Sequence, residues 1–323
     1  RLIPARSSKL TSGVARAAPH LTGFPKMRSS AARSRNRFIL LMLTPATVLL
    51  AGLTLIPFVV SVGFSLTNYS LTAPNDIAFV GLANYIALFS SSEFWNAAWV
   101  TVLFTVVAVG LQLVLGVGIA AMLHHETRAV SALRLIYLLP MAITPVAAVF
   151  TFRMMFNPTL GVFNYILKTI GLPAQDWLGS PTMALVSLIL VDSWQWTPFI
   201  LLIAAGGLAA LDEEPLEAAR MDGAGPLAIF FQHTLPMLFP YLAVAIVFRS
   251  IDAFKTFDII FVLTNGGPGV ATRTLNLLAY KQGIEFLSMG YAAAIAIVML
   301  IVTIVASQLF LRRVDLFKPK AAL

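Results

Sequence analysis

Four charged residues interrupt the apolar stretch Phe239–Leu263: Arg249, Asp252, Lys255 and Asp258, alternating in sign at every third position. A charge left unpaired at the centre of a bilayer costs about 2.5–3.5 kcal/mol on insertion scales, so these groups must pair or face water. A spacing of three makes successive members neighbours on a helix. One reading is therefore a structural charge ladder, with Arg249 and Asp258 holding the helix in place. The other is a polar route through the membrane. A second apolar stretch, Met183–Ala205, carries Asp192, Trp194, Gln195 and Trp196 at the same expected depth. Aromatic rings beside hydrogen-bonding groups suit a solute with apolar C–H faces and hydroxyl edges. Tryptophan in membranes more often sits at the interface, so two at mid-depth call for a reason, and tight packing is the alternative one. The expected solute pathway is Asp192, Trp194, Gln195, Trp196, Asp252 and Lys255.

Hydrophobic residues make up 59% of the 323 positions, charged residues 11%, and the mean hydropathy is +0.86. Soluble domains carry about 25% charged residues, so this is a membrane protein. Absence of cysteine excludes a disulfide framework or a cysteine metal site. The four histidines have no metal spacing, and His124 and His125 fall at a helix end, where the helix dipole favours them. Neither a GxxxxGK[ST] phosphate loop nor an HExxH motif occurs. Crossing a bilayer takes roughly 20 apolar residues, and six runs qualify: Phe38–Val60, Ala98–Leu123, Ala132–Met154, Met183–Ala205, Phe239–Leu263 and Tyr291–Leu311. Pro140, Pro145, Pro198 and Pro240 lie within them, which membrane helices tolerate.

Lysine and arginine orient the chain. With the N-terminus inside, inner segments hold sixteen of them and outer loops three (Lys168, Arg273 and Lys281). Both ends are expected to be cytoplasmic, and the net charge of +8 reflects topology rather than nucleic-acid binding. Residues 1–37 hold nine bases, no acid and many Ser and Ala, the composition of a disordered tail. Residues 1–26 read as an extension ahead of Met27. The expected organisation is this tail, a first transmembrane helix and outer loop over 38–97, a transmembrane core over 98–311 with a loop at 207–236, and a cytoplasmic tail over 312–323.

The loop between the fourth and fifth runs reads as a short helix. Asp212, Glu213 and Glu214 lie at its positive end, and Pro215 suits its first turn. Ala218 and Ala219 are small enough for another surface to approach closely. Gly223 and Gly225 allow a sharp turn before a second amphipathic piece that reaches Leu235-Pro236. From these residues alone, a simple surface hairpin is the alternative.

Glu217-Ala218-Ala219, then Asp222 and Gly223, then Leu235-Pro236 resemble the EAA loop of the membrane subunits of ABC importers, with His233 where that family usually has Ile. Phe257–Tyr280, with its Asn265-Gly266-Gly267-Pro268 turn, resembles the stretch after the fifth span in carbohydrate-importer permeases, especially the larger member of the maltose-type pair. Trp194–Phe199 resembles that family's fourth span. The likeness covers roughly residues 38–314.

The resemblance implies an all-α polytopic membrane protein of type I ABC-importer permease architecture, with six transmembrane helices and a cytoplasmic coupling helix. It implies a place in a bacterial cytoplasmic membrane and a sugar or oligosaccharide as cargo. The implied partners are a second homologous permease, two copies of a cytoplasmic ATPase and an extracytoplasmic solute-binding protein. The chain would bind no cofactor of its own, with ATP and Mg2+ held by the ATPase. Glu217, Ala218, Ala219, Asp222, Gly223, Leu235 and Pro236 would couple it to that ATPase. Two alternatives stand beside this: the same machinery importing a glycerol phosphate or polyol, and an ATP-independent secondary transporter, which would call for an inverted repeat.

Overall fold

Apolar runs become helices because in lipid every backbone N–H and C=O must be bonded within its own segment. The computed structural model describes residues 30–123 and 136–314, with side chains for 37–123 and 136–313. The expectations for the basic tail up to residue 29, for His124 and His125, and for the C-terminal tail beyond residue 314 lie outside the described residues. The chain divides into two compact units, Arg1–Pro57 and Phe58–Leu323. The described part of the first is the opening of helix α1 (Ser30–Ser65), whose side chains from Phe38 to Ile56 are almost all exposed and largely apolar. Residues 30–37, read with the tail, form the first turns of that helix.

The second unit contains α2 (Ala83–Ser90), α3 (Ser92–Met122), α4 (Ile136–Ala142), α5 (Pro145–Met155), α6 (Val162–Thr169), α7 (Pro181–Ala209), α8 (Glu214–Met221), α9 (Pro226–Ile229), α10 (Leu235–Phe254), α11 (Asp258–Leu263), α12 (Leu275–Tyr280) and α13 (Met289–Val314). Among the described residues, α1 included, five helices are long and apolar enough to cross a membrane, and six if α4 and α5 form one broken span.

Two of the expected spans are not straight rods. The third breaks between α4 and α5 with a bend of 107°. Pro145 supplies no N–H and pushes Thr144 into an extended conformation (ψ 136°). The fifth starts earlier and stops sooner than its apolar run: Pro226–Phe254 is continuous, and the chain leaves the helix at Lys255 before restarting as α11. A π-helical turn at Phe230–Thr234 joins α9 to α10. Pro236, in the first turn of α10, cannot donate back into the preceding turn, and a wider turn accommodates that loss.

α3 and α7 form the centre, with α10 packed on both. They approach closely at Gly116, where a methyl group would sit 2.8 Å from Cβ of Ile200. One apolar cluster joins α3, α5, α7 and α11 around Phe104, Phe156, Leu188 and Ile260. A second joins α3, α7 and α10 around Ile200, Ala204 and Leu238. A third ties α2, α3, α12 and α13 through Leu88, Leu278 and Ile295.

Candidate functional site

Asp192 on α7 and Arg249 on α10 are fully buried and form an ion pair between Arg249 Nη2 and Asp192 Oδ2. Gln112, from the middle of α3, completes the group: its Nε2 donates to Asp192 Oδ2 at 2.8 Å, and its Oε1 accepts from Arg249 Nε at 2.8 Å. Arg249 Nη1 donates to Asp252 Oδ2 at 3.0 Å, and the guanidinium carbon lies 5.1 Å from the ring centroid of Trp196. Three helices thus contribute one cation and two carboxylates to a hydrogen-bonded group. A guanidinium can serve three partners at once because its donors are splayed in a rigid fork.

One edge of this group is open. The Asp252 side chain is 42% exposed and, with Trp196, Lys255, Thr256, Asp258 and Pro145, lines a cavity of about 300 Å³. The cavity sits at the gap between α10 and α11 and beside the start of α5, so both broken spans open onto it. Irregular backbone is tolerated at membrane depth where it lines such a space. Asn276 Nδ2, near the start of α12, donates to the Lys255 carbonyl at 2.5 Å and satisfies an acceptor freed by the break.

The residues expected along the pathway part company here. Trp196, Asp252 and Lys255 line the cavity. Asp192 supports it from behind with no exposed surface. Gln195 is buried and donates to the carbonyl of Ile143 at 3.0 Å, tying α7 to the α4–α5 break. Trp194 points to the opposite side of α7 from Trp196 and meets the Phe152 ring edge-on, with centroids 5.1 Å apart. Two positions along a helix differ by about 200°, so both rings cannot face one cavity. The four-membered charge ladder also stops short. Only Arg249 and Asp252 pair; the helix ends at Lys255, so the i,i+3 geometry fails for Lys255 and Asp258, which both open to the cavity instead. Gln112 was not singled out in the sequence, although a lone amide within Ala98–Leu123 was the available signal.

The α8 loop has the opposite character. Glu217, Ala218 and Asp222 are exposed, whereas Ala219 is buried against its own chain, so only Ala218 offers an open small face. Asp222 ends the helix, and Gly223 follows at φ +80°, a left-handed conformation that favours glycine. Met221, Leu227 and Phe231 expose 88%, 75% and 61% of their surfaces. Leu235 and Pro236 open α10 just after the π turn.

The turn at Asn265-Gly266-Gly267-Pro268 is anchored to the start of α3. Thr272 donates to the Gly267 carbonyl at 2.7 Å, Asn96 donates to the Val270 carbonyl at 3.2 Å, and Arg273 pairs with Glu93. Asn265 and Gly266 both take positive φ there, 48° and 85°.

Residues 112–316 match the family described as binding-protein-dependent transport system inner membrane component. The chain belongs to this family. It is 42% identical over 253 residues to a probable ABC transporter permease of Sinorhizobium fredii, covering 78% of this chain and 82% of that protein. It is 38% identical over 241 residues to the trehalose/maltose transport system permease of Thermococcus litoralis, covering 75% and 81%. Its fold is similar to that of a chain in the crystal structure of a bacterial alginate ABC transporter, with a TM-score of 0.76, 20% identity, and coverage of 89% of this chain and 97% of that one. This is an ABC transporter permease: a multi-pass membrane component with the type I permease fold. The matched segment takes in the quartet, the cavity, α8 and the Asn265–Pro268 turn, and family membership stands against an ATP-independent secondary transporter.

Proposed function

We propose that this permease imports a sugar or oligosaccharide, handed to it by an extracytoplasmic solute-binding protein, into the cytoplasm. It works beside a second homologous permease, and two copies of a cytoplasmic ATPase hydrolyse ATP with Mg2+; this chain holds neither. Both termini and α8 are cytoplasmic, and the Asn265–Pro268 turn lies on the outer side. Glu217, Ala218, Asp222 and Gly223 present α8 to the ATPase, with Ala219 on its buried side and Leu235 and Pro236 opening α10 just beyond the π turn on which α8 packs. The carbohydrate permease of Thermococcus litoralis makes trehalose and maltose the first cargoes to try.

The observation that carries this reading is the cavity itself. It brings the Trp196 indole, a half-exposed carboxylate and Thr256 together at a break in two spans, and the adjoining Asp192 is already paired with Arg249. A sugar could stack its C–H face on Trp196 and donate a hydroxyl to Asp252. Alternating access then needs contacts that differ between states: ATP-driven closure of the ATPase pair would move α8, and α8 is joined through α9 to α10, which carries Arg249 and Asp252. To test this, the tagged chain is purified with the products of its neighbouring transport genes and reconstituted in proteoliposomes. An ATPase should co-purify, and trehalose or maltose uptake should require both ATP and the binding protein. Uptake without ATP, or a preparation lacking any ATPase, would overturn it.

A further inference from the structure

We propose that Gln112 is a positioning residue for the cargo site, setting through Arg249 where the Asp252 carboxylate stands in the cavity wall. The inference rests on the reading that Asp252 touches cargo. Gln112 has no exposed surface and does not reach the cavity, yet both ends of its amide are used. Its oxygen accepts from Arg249 Nε while its nitrogen donates to Asp192 Oδ2. An amide performs both tasks between a guanidinium and a carboxylate, whereas an ionised glutamate cannot donate and a lysine cannot accept.

The consequence is geometric. Without Gln112, the guanidinium would be held by its two Nη groups alone, on buried Asp192 and on the half-exposed Asp252, with nothing at Nε. The bond from Nε to Gln112 fixes its plane, and the plane fixes the direction in which Nη1 meets Asp252 and the distance at which the cation faces Trp196. One oxygen of Asp252 is thereby taken by Arg249, while its 42% exposure leaves the carboxylate open to a solute hydroxyl. Asp192, Gln112 and Arg249 come from three different helices, so a purely structural role in joining α3, α7 and α10 is the competing account. The two accounts differ in what happens once Asp252 is altered.

The test uses the reconstituted complex and radiolabelled trehalose and maltose. Gln112→Leu should raise the transport KM about tenfold, as expected for losing a hydrogen bond to a charged group, with a smaller change in Vmax. Asp252→Asn should raise KM by a similar factor. The double variant should show a KM no higher than the larger single effect, because Gln112 acts only through Asp252. Gln112→Asn, which keeps an amide but withdraws it by one methylene, carries the same prediction if the leucine variant fails to insert. Multiplying KM effects, or a Gln112 variant with the wild-type KM, would overturn the inference while leaving the site intact. A wild-type KM in Asp252→Asn would overturn the site and this inference together, as would a wild-type complex that imports neither sugar.

Discussion

Both the quartet around Arg249 and the α8 loop are rich in charge, and they handle it in opposite ways. The buried group pairs its charges internally: Asp192 and Asp252 both meet Arg249, and only the edge of Asp252 faces open space. In α8, Glu217, Arg220 and Asp222 are all exposed, beside the uncovered apolar side chains of Met221, Leu227 and Phe231. Solvation explains the difference. In lipid, a lone charge must be neutralised before the chain can fold, so charge there is structural first and functional only at an opening. In water, charge costs little to expose, and a surface mixing charge with large apolar side chains is free to meet another protein.

Substitutions can break or sharpen this contrast. The largest effect belongs to Arg249→Leu, which leaves Asp192 buried without its cation and should destabilise the protein by about 3–5 kcal/mol. Thermal unfolding in detergent and the yield of inserted protein would register it. Removing both charges, with Arg249→Leu and Asp192→Leu together, should recover much of that stability without restoring transport. Gly223→Leu comes next. Nothing crowds that position, but its φ of +80° costs a leucine about 1–2 kcal/mol. Insertion should survive while ATP-coupled uptake is lost. Trp196→Ala should raise the KM for sugar several-fold, whereas Trp194→Ala, on the opposite side of α7, should leave it near the wild-type value. The smallest stability effect is expected for Glu217→Gln, within about 0.5 kcal/mol because the side chain is exposed. Its influence should appear in coupling, as lower cargo-stimulated ATP hydrolysis.

The α8 loop was legible in the sequence because local rules govern it. Pro215 in the first turn and Gly223 just past the end are signals that act over a few residues. The buried charges were legible too, since Arg249 and Asp192 stand out in apolar runs. What they would touch was not. Gln112 meets Asp192 from 80 positions away and Arg249 from 137, and no periodicity reports a contact of that range. The split between Trp194 and Trp196 follows from helical geometry and was open to reading, but which face would meet the cavity depended on where α10 packs. The break after Phe254 was hidden because the apolar run continues through it, while the helix does not.

In the proposed function, the cavity handles cargo and α8 handles coupling, as separable duties of one chain. Parallel measurement of sugar uptake and binding-protein-stimulated ATP hydrolysis, for Asp252→Asn and Gly223→Leu in the same proteoliposomes, tests this most directly. At low sugar concentration, Asp252→Asn should lose most uptake while retaining stimulated hydrolysis, so that less sugar moves per ATP. Gly223→Leu should lose both together. Equal losses of uptake and hydrolysis in both variants would contradict the division of labour, and unimpaired uptake in both would contradict the two sites themselves.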